Sequence, residues 1–158
     1  TIGNFEPHEA CAFLRHAGEI LGSHAVMVVG VDLVKDPSLL KAAYNDAQGV
    51  TAKFNLNLLR RINRELGGTF KLDGFEHHAF YNREKNRIEM HLASKKRQKV
   101  KVGASAFDFR AGETIHTENS YKYSRESFSA LARGAGWTME QVWTDANQNF
   151  AVCALTLA

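Results

Sequence analysis

Ala10, Phe13, Leu14, Ala17, Ile20 and Leu21 recur at spacings of three and four. That period predicts an amphipathic helix over residues 7–21, with Pro7 in its first turn and Gly22 at its end. Residues 25–33 (Ala-Val-Met-Val-Val-Gly-Val-Asp-Leu) are apolar on both faces and rich in valine. Such a run predicts a central parallel strand covered on both sides. Asp32, near its end, would stand at the carboxyl edge of the sheet, where open α/β folds bind ligands. Asp36 and Pro37 read as the cap and first residue of a short helix carrying Leu39, Leu40, Ala43 and Tyr44. A longer helix follows, with Val50, Phe54, Leu58, Leu59, Ile62 and Leu66 on one face and Gly67-Gly68 at its end.

From residue 70 the period changes to two. Phe75, His77, Ala79 and Tyr81 point one way, and so do Ile88, Met90 and Leu92 in the next segment. Residues 82–86 between them make a turn. Val100 and Val102, then Phe107 and Phe109, continue the alternation to residue 110. Ser124 caps a helix with Phe128, Leu131 and Ala132 inward. The segments around Trp143 and residues 150–157 are close enough to pair as an antiparallel hairpin. A parallel strand, an insertion, a helix and a closing hairpin follow the order at the end of Rossmann-like methyltransferases. The expected class is therefore α/β: the C-terminal half of such a fold with an α+β insertion, which the resemblance given below implies to be an inserted α+β substrate-binding domain. The boundaries expected are 1–33, 34–121 and 122–158.

Composition narrows the function less than the pattern does. The chain has 158 residues, 23% charged and 44% hydrophobic, which fits a soluble globular domain. A net charge of +3 does not ask for a nucleic-acid partner. The basic run Lys95–Lys101 reads as a solvated turn leading into an edge strand, and no aromatic side chain is interleaved with it. No transmembrane stretch, signal peptide or initiator Met is present, and the chain reads as a fragment or a processed product. Cys11 and Cys153 read as free thiols, which suits the cytoplasm. His77 and His78 fall on opposite strand faces, and no Cys or His spacing matches zinc, so no metal is expected. There is no Gly-x-Ser-x-Gly elbow, no Gly-x-Gly-x-x-Gly and no phosphate loop. Glu118 and Ser120 are two apart, so an extended segment turns both side chains to one side. A carboxylate and a hydroxyl so placed can grip a flat ring with two nitrogens, such as an imidazole. A surface glutamate beside a helix-capping serine is the plainer alternative.

Residues 115–123 (Ile-His-Thr-Glu-Asn-Ser-Tyr-Lys-Tyr) resemble the histidine-specific Nα-methyltransferases of ergothioneine biosynthesis. So do Thr1-Ile2-Gly3-Asn4-Phe5, residues 30–36, 43–46 and 51–57, and Ile88-Glu89-Met90-His91-Leu92. The resemblance implies S-adenosyl-L-methionine as methyl donor and L-histidine as substrate, trimethylated at its α-amine to hercynine. It implies that Asn4 holds the amino and carboxylate end of the substrate. It implies further that Glu118 and Ser120 bind the imidazole and that Phe54 and Met90 line the pocket. The family's cofactor loop, its ribose contact and its substrate-contacting tyrosines are expected before Thr1, so no cofactor-binding or catalytic residue is assigned, and the isolated chain is expected to be inactive. A related methyltransferase for another amino acid, such as a tryptophan derivative, and a non-catalytic module are the alternatives. Without a neighbouring strand, residues 25–33 would form an apolar edge, and self-association or swapping through it is expected.

Overall fold

A computed structural model describes residues 2–157. The chain divides into two compact units: Thr1–Asp36 with Asn82–Arg87 and Asn119–Ala158, and Pro37–Tyr81 with Ile88–Glu118. No helix among the described residues is long and apolar enough to cross a membrane.

The first unit opens with a short 3-10 turn, Ile2–Asn4, followed by α1 (Pro7–Leu21). Its sheet has the order β1-β8-β7, from β1 (Val26–Asp32), β7 (Trp137–Thr144) and β8 (Phe150–Leu157). β8 pairs antiparallel with both neighbours. Helix α4 (Arg125–Gly134) precedes β7, and Ser124 and Ser127 cap it reciprocally. Ala10 and Leu14 of α1, Phe128 and Ala132 of α4, and Trp137, Ala151, Cys153 and Leu155 of the hairpin share one core with Val31 and Leu33. Ala10, Leu14, Phe128 and Ala132 are inward as the three-and-four spacing predicts, whereas Phe13, Ile20 and Leu21 of the α1 stripe are exposed.

The second unit carries α2 (Pro37–Tyr44), α3 (Val50–Leu66) and the β4 (Gln98–Val102) and β5 (Ser105–Phe109) hairpin. A further sheet has the order β2-β3-β6, from β2 (Phe75–Asn82), β3 (Arg87–Ser94) and β6 (Thr114–Tyr121). Leu59, Phe70, Phe75, Leu92 and Val100 form one core, and Leu40, Ala79, Ile88 and Met90 a second.

Two expectations change. Residues 25–33 do not form a central strand among the described residues: β1 is an edge, and Val26 and Val28 are each 66% exposed. Valine content reports a strand that is buried when fully partnered, and cannot report which partners are present. Helix α3 also turns differently from its apolar stripe. Asn55 and Leu59 are its buried residues, whereas Val50, Phe54 and Leu66 are exposed. Asn55 faces inward because its amide donates to the His91 carbonyl at 3.0 Å and sits 3.0 Å from His77 Nδ1. A buried polar group with partners outweighs the periodicity of its neighbours.

Candidate functional site

Strand β6 contributes residues to both units, 114–118 to one and 119–121 to the other. In the first unit its end is tied to the end of β1. Tyr123 N–H donates to Asp32 C=O at 3.0 Å, and Val34 N–H donates to Tyr123 C=O at 3.0 Å. This parallel contact sets three side chains together. Lys122 Nζ donates to Ser120 Oγ at 2.7 Å and pairs with Asp32 Oδ2 at 2.8 Å. Lys35 pairs with the other oxygen of Asp32. The Lys122 side chain is 0% exposed and Ser120 is buried.

A second network locks the Asn4 turn to the same strand end. Glu6 accepts from Tyr121 Oη at 2.5 Å, from Arg87 Nη1 at 2.6 Å and from Asn119 Nδ2 at 3.1 Å. Arg87 Nη1 also donates to Tyr121 Oη at 2.7 Å. The Tyr121 hydroxyl, then the Arg87 guanidinium, hold the Glu6 carboxyl below its ordinary value against the opposing effect of burial. Burial and the Glu6 carboxylate push the Tyr121 phenol up. Gly3 lets this turn come close: a Cβ there would stand 3.0 Å from the Tyr121 carbonyl oxygen. Asn4 is exposed at the end of the turn, two residues before Glu6. Tyr123 is buried and its phenol is pushed up to about 12, chiefly by desolvation.

In the second unit Glu118 is half-buried, and its carbonyl lies 3.2 Å from His116 Nε2. Met90 is buried with Leu40, Ala79 and Ile88, and Thr117 Oγ1 donates to its carbonyl at 2.9 Å. Phe54 is 61% exposed on α3. Glu89, His91 and His116 offer three ligand atoms within 4.8 Å of one another. The two imidazoles stack at 4.4 Å and 11°, so their planes run side by side rather than converging on a point. His91 is engaged at both nitrogens, 3.3 Å from Glu89 Oε2 and 3.2 Å from Thr114 Oγ1, and burial pushes its pKa down.

The family described as SAM-dependent, histidine-specific methyltransferase matches residues 1–157. The chain belongs to that family. It is 42% identical over 154 residues to the histidine N-alpha-methyltransferase of Mycolicibacterium smegmatis, covering 96% of this chain and 48% of that protein. The enzyme of the same name from Mycobacterium tuberculosis is 41% identical, with the same coverage of each. Ergothioneine biosynthesis protein 1 of Neurospora crassa is 33% identical over 94% of this chain and 17% of its own length. The chain therefore spans about half the length of the bacterial relatives. Among solved structures, a S-adenosylmethionine-dependent methyltransferase from Clostridium acetobutylicum has a TM-score of 0.45 at 8% identity, covering 97% of this chain and 52% of that one. That likeness is too low to carry an argument.

The family's donor, S-adenosylmethionine, does not fit the strand-to-helix turns described. Such a ligand binds where a glycine-rich turn lets backbone N–H groups approach it. The turn from β1 to α2 holds Leu33, Val34, Lys35 and Asp36, and that from β6 to α4 holds Lys122, Tyr123 and Ser124. Neither contains glycine, and the Asp32 carboxylate at the first is engaged by two lysines. No cofactor contact is assigned to these residues.

The Asp32–Lys122–Ser120 chain and the Glu6–Arg87–Tyr121 clamp escaped the sequence reading. The available signal was Lys122 itself, an ionisable residue in an otherwise buried run from Ser120 to Tyr123. Arg87 gave none, because it precedes an apolar strand from a turn and looks solvated.

Proposed function

We propose that the protein trimethylates the α-amine of L-histidine to hercynine in ergothioneine biosynthesis, with S-adenosylmethionine as donor. The observation that carries this reading is the family match over nearly the whole chain. The Glu-x-Ser spacing on β6 supports it from chemistry alone. In this reading Glu118 accepts from one ring N–H, Ser120 serves the other ring nitrogen, and Asn4 takes the amino and carboxylate end. Phe54 and Met90 are assigned to the ring's apolar surroundings through the family, not through a distance. The anchor's role is to fix the far end of the substrate so that the neutral amine is held in line for transfer.

Glu118→Ala in the full-length protein is expected to weaken histidine binding tenfold or more while cofactor affinity stays unchanged. That corresponds to loss of one charge-assisted contact, about 1.5–3 kcal/mol. Calorimetric titration with each ligand measures both. Unaltered histidine affinity would sink the assignment. A tryptophan derivative as substrate is disfavoured because an indole has one N–H and no second ring nitrogen; tighter binding of tryptophan than histidine would reverse that order.

The open strand supports association between copies. β1 has β8 as its partner on one side, and Val26 and Val28 are exposed. An apolar edge of this kind invites pairing with another chain. The 158-residue chain is expected to associate at micromolar concentration, and Val28→Lys to shift it towards monomer in sedimentation velocity. A monomeric unsubstituted chain contradicts this. Cys11 and Cys153 are free thiols, which supports a cytoplasmic location.

A further inference from the structure

We infer that the second unit carries a site for a small phosphate monoester, held between the guanidinium groups of Arg97 and Arg110. The inference is independent of the histidine reading, because it uses none of the residues assigned to that substrate.

The β4–β5 hairpin is paired from Val102↔Ser105 at its closed end to Gln98↔Phe109 at its open end. The next residue outward on each strand is an arginine. Arg97 ends the turn that follows β3, and Arg110 begins the turn that precedes β6. Both line one cavity of about 930 Å³, with Asp108, Phe109, Ala111 and Glu113. All of these residues belong to the second unit. Like charges at facing ends of a strand pair repel, so the arrangement is costly unless an anion lies between them.

The charged groups of the lining are not equally committed. Glu113 Oε2 accepts from the Arg110 backbone N–H at 2.8 Å, and Asp108 pairs with Lys99 at 3.8 Å. Neither guanidinium has a hydrogen bond or an ion pair among the described residues. The unmet demand of the cavity is therefore for an anion.

The backbone beneath both arginines is held in place. Ser94, 1% exposed, joins the two turns. Its hydroxyl donates to the Lys96 carbonyl at 2.9 Å, and its own carbonyl accepts from Gly112 N–H at 2.7 Å. Gln98 Nε2 donates to the Gly74 carbonyl at 3.0 Å, next to Arg97. Gly112 takes the left-handed conformation (φ 80°) that the second turn requires. Binding then has two side chains to order, and not two loops.

The chemistry of the forks selects the ligand. Each guanidinium presents a rigid plane of N–H donors and keeps its charge at any ordinary pH. A phosphate monoester brings close to two negative charges and three terminal oxygens, enough for both forks. A lone carboxylate has one charge and two oxygens, and leaves one arginine unmatched. A long polyanion would run past the Asp108 and Glu113 carboxylates and be repelled by them. Phe109 is half-buried and packs edge-on against Phe75 at 5.4 Å, so it gives the cavity an apolar wall for the ester's organic part. The cavity is of the size that small organic ligands occupy, larger than a bare ion needs.

The test is calorimetric titration of the full-length protein at low ionic strength with phenyl phosphate, inorganic phosphate and succinate. Phenyl phosphate is expected to bind with a Kd of about 1 mM or tighter, and more tightly than the other two. Arg97→Gln and Arg110→Gln are each expected to weaken it about tenfold or more, the usual loss for one charge-assisted contact. Lys96→Gln, on the same turn but outside the lining, is expected to change it less than about twofold. All three positions are exposed, so the substitutions leave the fold intact. Absence of phenyl phosphate binding at about 10 mM overturns the inference. An equal loss in Lys96→Gln overturns it in favour of a diffuse basic surface. Tighter binding of succinate overturns the phosphate assignment, and inorganic phosphate bound as tightly as the ester overturns the monoester assignment.

Discussion

Trp137→Ala is expected to destabilise the first unit by about 3–5 kcal/mol, the usual range for removing a buried tryptophan. Trp137 is 1% exposed at the start of β7 and packs in the core that α1 and α4 share with the sheet. Its indole N–H donates to the Leu14 carbonyl at 2.8 Å, in the middle of α1. Gly18, one turn on, would place a Cβ 3.6 Å from the indole. Alanine leaves a cavity bounded by helix and sheet, and neither can collapse into it without breaking its own backbone bonds. Urea unfolding followed by far-ultraviolet circular dichroism measures the loss without relying on tryptophan emission. A cost below about 1 kcal/mol would mean that α1 does not depend on this contact.

Glu6→Gln is expected to cost more than Arg87→Met, although the two residues form one ion pair. Arg87 is the buried member, its side chain 5% exposed against 38% for Glu6. Removing the carboxylate takes an anionic acceptor from a buried cation, which keeps its bond to Tyr121. Removing the cation frees a carboxylate that can reach water. We expect about 2–3 kcal/mol for Glu6→Gln, below the figure for a fully enclosed pair because Glu6 is partly solvated. Arg87→Met should cost less than about 1.5 kcal/mol, since methionine fills much of the same space. The double variant should fall well short of the sum.

The pH dependence has a definite sign. Glu6 has its pKa lowered by folding, so its contribution is complete above the ordinary glutamate value and is lost as pH falls through the folded value. The gap between the unsubstituted protein and Glu6→Gln should therefore shrink in acid. Equal costs for the two single variants, or a gap that widens in acid, would remove the clamp as the explanation. Since Glu6 lies two residues after Asn4, the same variants test how firmly the Asn4 turn is held.

The helices and strands were legible because their periods are carried by residues that meet the core. Leu14, Phe128 and Ala132 occupy the inward positions that the spacing assigns. That Glu118 and Ser120 share one extended strand was legible for a similar reason, since strand alternation is a local property. Helix α3 was misread where one polar residue, Asn55, finds partners in the interior and turns the apolar neighbours outward.

By itself the sequence determined the order of elements, the family and the two-residue spacing of Glu118 and Ser120 on one strand. These depend on residues close in the chain or on motifs read in order. Only the tertiary structure decided what stands behind Ser120. Asp32 and Lys122 are far apart in sequence, and the parallel contact of Leu33 with Tyr123 brings them together. Glu6 and Arg87 are likewise joined only when the Ile2–Asn4 turn meets the end of β6. The position of β1 at an edge was decided there too, because edge or centre is a property of the partners and not of the strand. Local sequence fixes which way a side chain faces on its strand, but the partner it meets is set by folding.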